Sequence, residues 1–210
     1  MKKNKEIVLF GYSGHAFVAA EVILKAGYTL MGYLDKQEQE LNPYGLKYLG
    51  FEEDVALMNS LYNYDFFPSI GNNNIRRKVF ETFIVQGFEF ITAIHPKANI
   101  ASMVMIGQGS LVCQGANINP LVAIGKGVII NTGAIIEHEC IIDNFAHIAP
   151  GAVLAGKVKV GKGSFIGANA VIKQGVVIGD YVTIGAGTVV LRNIASNSMV
   201  VGNPAKPIKK

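Results

Sequence analysis

Cysteine is scarce: the 210 residues contain two, Cys113 and Cys140. That leaves no disulfide framework and suits a reducing compartment. No apolar run approaches the roughly 20 residues of a membrane-spanning helix. The run Ile7-Val8-Leu9-Phe10 follows Lys2, Lys3 and Lys5 but stops at Gly11, too short for a signal peptide, so a cytoplasmic address is expected. Charged residues make up only 16% of the chain, with no dense basic run interleaved with aromatics, which argues against a nucleic-acid partner. The two histidines of the C-terminal half, without a cysteine cluster, are a thin ligand set, so no metal is expected. Acidic residues are rare there too: residues 97–210 carry 10 Lys+Arg against 4 Asp+Glu (net +6), and residues 1–96 carry 9 against 11 (net −2). The basic excess, with Lys157, Lys159, Lys162, Lys173, Arg192 and Lys206, suits a phosphorylated ligand as well as plain solubility.

What is abundant is an aliphatic residue at a fixed interval. From Ile100 to Val190, sixteen recur every six positions without a slip. If about a third of random positions were Leu, Ile or Val, chance would produce this in fewer than about one in ten million chains. Two positions ahead of each sits a small or β-branched residue, from Ala98 to Thr188, and neither column holds a charge. Such a period predicts short strands joined by corners, wound into a solenoid with both columns inside. Three hexapeptides close one triangular coil, so residues 18 apart stack along the axis. A glycine often follows the aliphatic residue, as at Gly107, Gly125, Gly161 and Gly179, and relieves crowding near the corners. A β-sandwich would not hold a six-residue register this long.

The first half reads as a small α/β domain. Ile7–Phe10 suits a buried parallel strand that ends in Gly11-Tyr12-Ser13-Gly14-His15-Ala16, with a helix over about 15–26 closed by Gly27. A second strand over about 29–34 delivers Asp35, and a third near Phe66–Ile70 delivers Gly71-Asn72-Asn73-Asn74 before another helix. The three strand ends converge on the edge where such sheets bind ligands, and helix N-termini there favour phosphate. Gly-x-x-Gly is not the dinucleotide pattern, and a plain strand-to-helix turn has the same look. The boundary is set at Ile94-His95-Pro96-Lys97-Ala98, because Pro96 makes His95 extended.

His138 and Glu139 fall at one corner of the repeat, where consecutive side chains both project outward. A carboxylate beside an imidazole holds one ring nitrogen protonated and leaves the other as a base of raised basicity. A solvated polar pair is the competing reading. His147 comes nine residues later, half a coil, so the two histidines lie on different sides of one prism and meet only across a threefold homotrimer. Gly156, 18 residues past His138, stacks above it and leaves room for a ligand. Cys140 is inward and Cys113 lies elsewhere in the repeat, so neither is a candidate nucleophile.

These hexapeptides, the His138-Glu139 pair, His147, the closing Val201-Gly202-Asn203-Pro204-Ala205-Lys206 and the Gly11–Ala16 opening resemble the left-handed β-helix sugar acetyltransferases over nearly the whole chain. Within them, the likeness is to nucleotide-sugar N-acetyltransferases of the bacillosamine pathway and to sialic acid O-acetyltransferases. The resemblance implies an α/β nucleotide-sugar-binding domain with a short parallel sheet over residues 1–93, then a left-handed parallel β-helix over 94–210. The handedness comes from the family. The resemblance makes His138 the general base and Glu139 its activator. It places His147 at the acetyl carbonyl of acetyl-CoA, from the adjacent subunit, with Gly156, Ala168 and Ala186 along the CoA groove. Asn131 falls near the acceptor sugar; Ser13, Gly14, His15 and Asp35, with Gly71 and Asn72, fall in the nucleotide-sugar pocket. Lys36 departs from the second acidic residue that bacillosamine-pathway enzymes tend to carry there, which leaves the identity of the nucleotide-sugar open. The expected chemistry is direct acetyl transfer in a ternary complex, without an acyl-enzyme. Acetylation of a sugar hydroxyl would use the same base. A non-catalytic or carbonic-anhydrase-like scaffold would need a third metal-ligating histidine.

Overall fold

A computed structural model describes residues 6–208; Lys2, Lys3 and Lys5 lie outside the described residues. The chain divides into two compact units, Met1–Pro96 and Lys97–Lys210.

The first unit runs β1 (Glu6–Phe10), α1 (Gly14–Lys25), β2 (Thr29–Leu34), β3 (Lys47–Gly50), α2 (Val55–Ser60), β4 (Asp65–Pro68) and α3 (Asn73–Ile84). The sheet is parallel throughout, in the order β3-β2-β1-β4. Ile7, Val8, Leu9 and Phe10 are all buried, as the central position of β1 requires. Helix α1 turns Ala16, Ala19, Ala20, Val22 and Ile23 inward. Of the apolar residues Phe17, Val18, Val22, Ile23 and Leu24 that its sequence offers as the inward stripe, only Val22 and Ile23 are buried, because the small alanines let the helix pack closely on that side, and Val18 and Leu24 are exposed. Phe10 stacks on Phe83 at 4.8 Å between ring centroids, and Phe80 on Phe90 at 4.6 Å. Sequence reading missed β3 and α2. β3 is an edge strand without a continuous apolar run, and α2 has six residues, too few to show a period. Asp54 caps α2 by accepting from the Leu57 N–H at 3.1 Å.

The second unit is the expected left-handed parallel β-helix. Two-residue strands form three parallel faces. Face 1 runs from Met105–Ile106 through Ile141–Ile142 to Val177–Ile178, face 2 from Leu111–Val112 through His147–Ile148 to Thr183–Ile184, and face 3 from Asn99–Ile100 through Ile135–Ile136 to Val189–Val190. As far as Val190 each strand residue pairs with the one 18 positions away, as in Ile135 with Val153 and His147 with Phe165; the last coil is two residues shorter, pairing Thr183 with Met199 and Ile178 with Ile194. From Val112 to Val190 the aliphatic column is buried without exception, and so is the small column from Ser110 to Thr188. Ser110 and Ser164 are tolerated inside because each hydroxyl is paired: Ser164 donates to the Gly179 carbonyl at 2.8 Å and accepts from the Val182 N–H at 2.9 Å. A Cβ on Gly107 or Gly161 would lie 2.5 Å from the backbone of the next coil, so no side chain fits there.

Each inward aliphatic residue fills one level of the prism. Ile172→Ala should therefore cost about 2–5 kcal/mol, read as a lower denaturation midpoint; a loss under about 1 kcal/mol would mean that this column does not carry the solenoid.

Candidate active site

At the carboxyl edge of the small sheet, the three loops singled out in the sequence come together. Asp35, just past β2, accepts from the Tyr12 N–H at 3.0 Å through Oδ2 and from the Lys36 N–H at 2.8 Å through Oδ1. Its carboxylate thus orders the β1–α1 loop. Ser13 is the extended N-cap residue of α1 and makes no side-chain capping bond; Ser13 and Gly14 are both exposed. Asn72 caps α3, accepting from the N–H groups of Asn74 at 3.0 Å and Ile75 at 3.1 Å. Gly71 faces His15 so closely that a Cβ would lie 3.2 Å from His15 Cβ.

Beneath this edge lies Arg76, which sequence reading did not single out as a site residue. It is 1% exposed. Nη1 donates to the carbonyls of Ile70 at 2.9 Å and Gly71 at 3.1 Å, and Nη2 to Asn73 Oδ1 at 2.8 Å, so one guanidinium braces the whole β4–α3 turn. Burial lowers its pKa to about 9. Burial, with the adjacent Arg76 charge, lowers that of His15 to about 4. The available signal was an arginine on the buried stripe of α3, in phase with Val79, Phe80 and Phe83.

In the solenoid, His138 and Glu139 occupy the corner between faces 3 and 1. His138 Nδ1 lies 3.0 Å from Glu139 Oε2, with both side chains about half exposed. The same oxygen is 3.7 Å from Lys157 Nζ, one coil above. Gly156 stacks over His138: a Cβ there would come within 2.6 Å of the ring atoms Cε1 and Nε2. Any larger residue at 156 would displace the imidazole. Glu139 and Lys157 have φ of 60° and 61°, but so do Met103 (64°) and Leu121 (65°) lower in the same column, so the left-handed backbone belongs to the corner and not to chemistry.

His147 is on face 2, opposite that corner. It is 8% exposed, packs edge-on against Phe165 at 5.0 Å, and its Nε2 lies 3.2 Å from Asn131 Nδ2. Asn131 Oδ1 accepts from the Thr132 N–H at 2.8 Å, which turns the amide NH₂ towards the ring. The donor is then Asn131, and His147 Nε2 accepts. Ala168 and Ala186 lie at the corner between faces 2 and 3, with the Gly187 N–H bonded to the Ala168 carbonyl at 2.8 Å. At comparable corner positions the N–H groups of Lys126 and Lys162 are capped by Asn144 and Asp180. Those of Gly156, Ala168 and Ala186 have no acceptor among the described residues. One chain therefore carries two half-sites. His138, Glu139 and Gly156 share one corner, while Asn131, His147, Ala168 and Ala186 lie along the opposite face and its exit.

Comparison with known proteins gives this arrangement its place. Residues 6–83 match the PglD N-terminal domain, and residues 157–192 match the bacterial transferase hexapeptide (six repeats). The acetyltransferase domain of PglB from Neisseria gonorrhoeae FA1090, solved in complex with acetyl coenzyme A, is 36% identical and superposes with a TM-score of 0.91, over 98% of this chain and 100% of that one. The chain belongs to the hexapeptide-repeat sugar acetyltransferase family. A histidine variant of perosamine N-acetyltransferase from Caulobacter crescentus, in complex with CoA and GDP-perosamine, is 32% identical with a TM-score of 0.93, over 98% of this chain and 97% of that one. UDP-N-acetylbacillosamine N-acetyltransferase of Bacillus subtilis (strain 168) is 32% identical over 110 residues, 51% of this chain and 51% of that protein, so the match spans about half the length of this relative.

In this family member both thiols are buried and hard to ionise. Desolvation pushes the Cys113 pKa up to about 12 and that of Cys140 up to about 11, which disfavours a thiolate nucleophile. No helix among the described residues is long and apolar enough to cross a membrane.

His15 makes stability depend on pH. Its folded value of about 4 lies below the ordinary 6.5, so between these values the unfolded chain binds more protons and stability falls on acidification. The melting temperature should drop from pH 6.5 towards 4, and His15→Gln should lose part of that slope. An unchanged slope in the variant would show that His15 is not held neutral by the fold.

Proposed function

We propose that the protein is an acetyl-CoA-dependent N-acetyltransferase acting on the amino group of a nucleotide-activated sugar, a UDP-linked 4-amino-4,6-dideoxy sugar, in the cytoplasm. The observation that carries the proposal is the His138–Glu139 pair: Nδ1 is held at 3.0 Å by the carboxylate, and Nε2 lies against the space that Gly156 leaves open. With Nδ1–H donating, the Nε2 lone pair is the base. The relatives solved with acetyl coenzyme A, or with CoA and GDP-perosamine, support the reaction class.

In the proposed mechanism the acceptor enters as an ammonium ion and loses one proton to solvent by way of His138. The free amine then attacks the thioester carbonyl. The new C–N bond forms as the C–S bond breaks, the second proton passes to His138 Nε2, and the imidazolium returns it to the departing thiolate. The Gly156 N–H and the His147 side of the groove serve the developing oxyanion. Proximity and a positioned base supply the rate, and no acyl-enzyme forms. The edge formed by Ser13, Gly14, His15, Asp35, Gly71 and Asn72 holds the nucleotide diphosphate, which a free sialic acid would leave unused. O-acetylation therefore ranks second.

The test is product analysis by mass spectrometry and NMR after incubation with acetyl-CoA and a panel of UDP- and GDP-amino-sugars and free sialic acid. An N-acetylated UDP-sugar is expected, and turnover of sialic acid alone would refute the reading. His138→Ala should lower kcat by about 10²–10⁴ with acetyl-CoA binding retained; near wild-type turnover at all pH values would remove the base.

The two half-sites face away from each other in one chain, so the active unit is proposed to be a homotrimer with sites between subunits. Co-expression of His138→Ala with His147→Ala should restore about a quarter of the sites by random mixing. Mixtures no more active than either variant alone would place both histidines of a site in one subunit.

A further inference from the structure

A second concavity lies beside the proposed base. On face 3, in the coils that precede His138, a cleft of about 310 Å³ is lined by Asn99, Ala101, Asn117, Asn119, Ile135 and Glu137. The ladder dictates its layout: Asn99, Asn117 and Ile135 form one outward column in register, and Ala101, Asn119 and Glu137 form the next, 18 residues apart. The part of the second column that lines the cleft stops at Glu137, whose Cα is about 3.8 Å from that of His138 across one peptide bond.

We propose that this cleft binds the sugar ring of the acceptor, with Glu137 taking its ammonium group. The assignment rests on the N-acetyltransferase reading above. At about 30 Å³ per water, the cleft has room for about ten waters, comparable to the heavy atoms of a monosaccharide. Asn117 is already committed, donating to the Gly115 carbonyl at 2.9 Å and accepting from Asn99 at 3.4 Å. Asn119 and Glu137 make no side-chain hydrogen bond or ion pair among the described residues, so both are available to a ligand. An amino-dideoxy sugar presents a cation, hydroxyls and a methyl group. The cleft presents a carboxylate, amides that donate and accept, and the apolar Ile135 and Ala101. Glu137 would hold the nitrogen beside the imidazole that must deprotonate it.

Glu137→Gln keeps the shape and removes the charge. A charged hydrogen bond contributes about 1.5–3 kcal/mol, so KM for the amino-sugar nucleotide should rise at least about tenfold, with KM for acetyl-CoA and the melting temperature unchanged. Inhibition by the corresponding 4-hydroxy sugar nucleotide should be unaltered by Glu137→Gln and weakened by Asn119→Ala. Acceptor KM and inhibition within twofold of wild type in both variants would overturn the assignment while leaving the acetyltransferase reading intact. A wild-type enzyme that acetylates hydroxyl acceptors alone would overturn both.

Discussion

The parallel ladder that stacks each residue on the one 18 positions ahead fixes everything else in the C-terminal unit. Its backbone bonds, such as the Glu137 N–H to the Leu154 carbonyl at 2.9 Å and the Lys157 N–H to the His138 carbonyl at 2.9 Å, leave no freedom of register. A residue's number therefore determines its face and its height. His138 must lie under Gly156, Glu139 under Lys157, and Asn131 beside His147, because any slip would turn an aliphatic residue out of the core. Rigid elements of this kind hold the proposed base and its carboxylate partner more accurately than a loop does.

The corners carry the chemistry because they are where the ladder lapses. Each turn projects two consecutive side chains outward and frees a backbone N–H that no strand can pair. In some coils a side chain from the next level caps that group, as Asn144 does for Lys126. Where no such cap is present, the donor stays without an acceptor among the described residues, as at Gly156 on the His138 corner and at Ala168 and Ala186, which stack on the corner between faces 2 and 3. An extended thioester ligand needs this: spaced amide donors, and no side chains in its way.

Much of this was legible in the sequence, and the reason is periodicity. The exact six-residue column identified the solenoid, and counting by 18 placed Gly156 over His138. In the first unit the glycine loop, Asp35 and Gly71 were found because strand ends carry recognisable residues. What stayed hidden was of three kinds. β3 and α2 are too short or too exposed to show a pattern. Arg76 looks like one more charge on a polar helix until the stripe of α3 is drawn, and only packing shows that it braces Ile70, Gly71 and Asn73. The Asn131–His147 contact spans 16 residues, one coil less two, a diagonal that a count by 18 passes over.

The two units differ in the electrostatics of their proposed binding regions. The proposed diphosphate edge combines the first turns of α1 and α3 with the buried Arg76, so positive potential comes from the scaffold and His15 can stay neutral beside it. At the His138 corner of the second unit the charges reverse. Glu137 and Glu139 flank His138, two of only four carboxylates in a half that carries ten basic residues. In a unit with net charge +6, placing half of the acidic side chains on either side of one histidine sets that corner apart from its surroundings. A field of that sign favours the cationic nitrogen of the proposed acceptor.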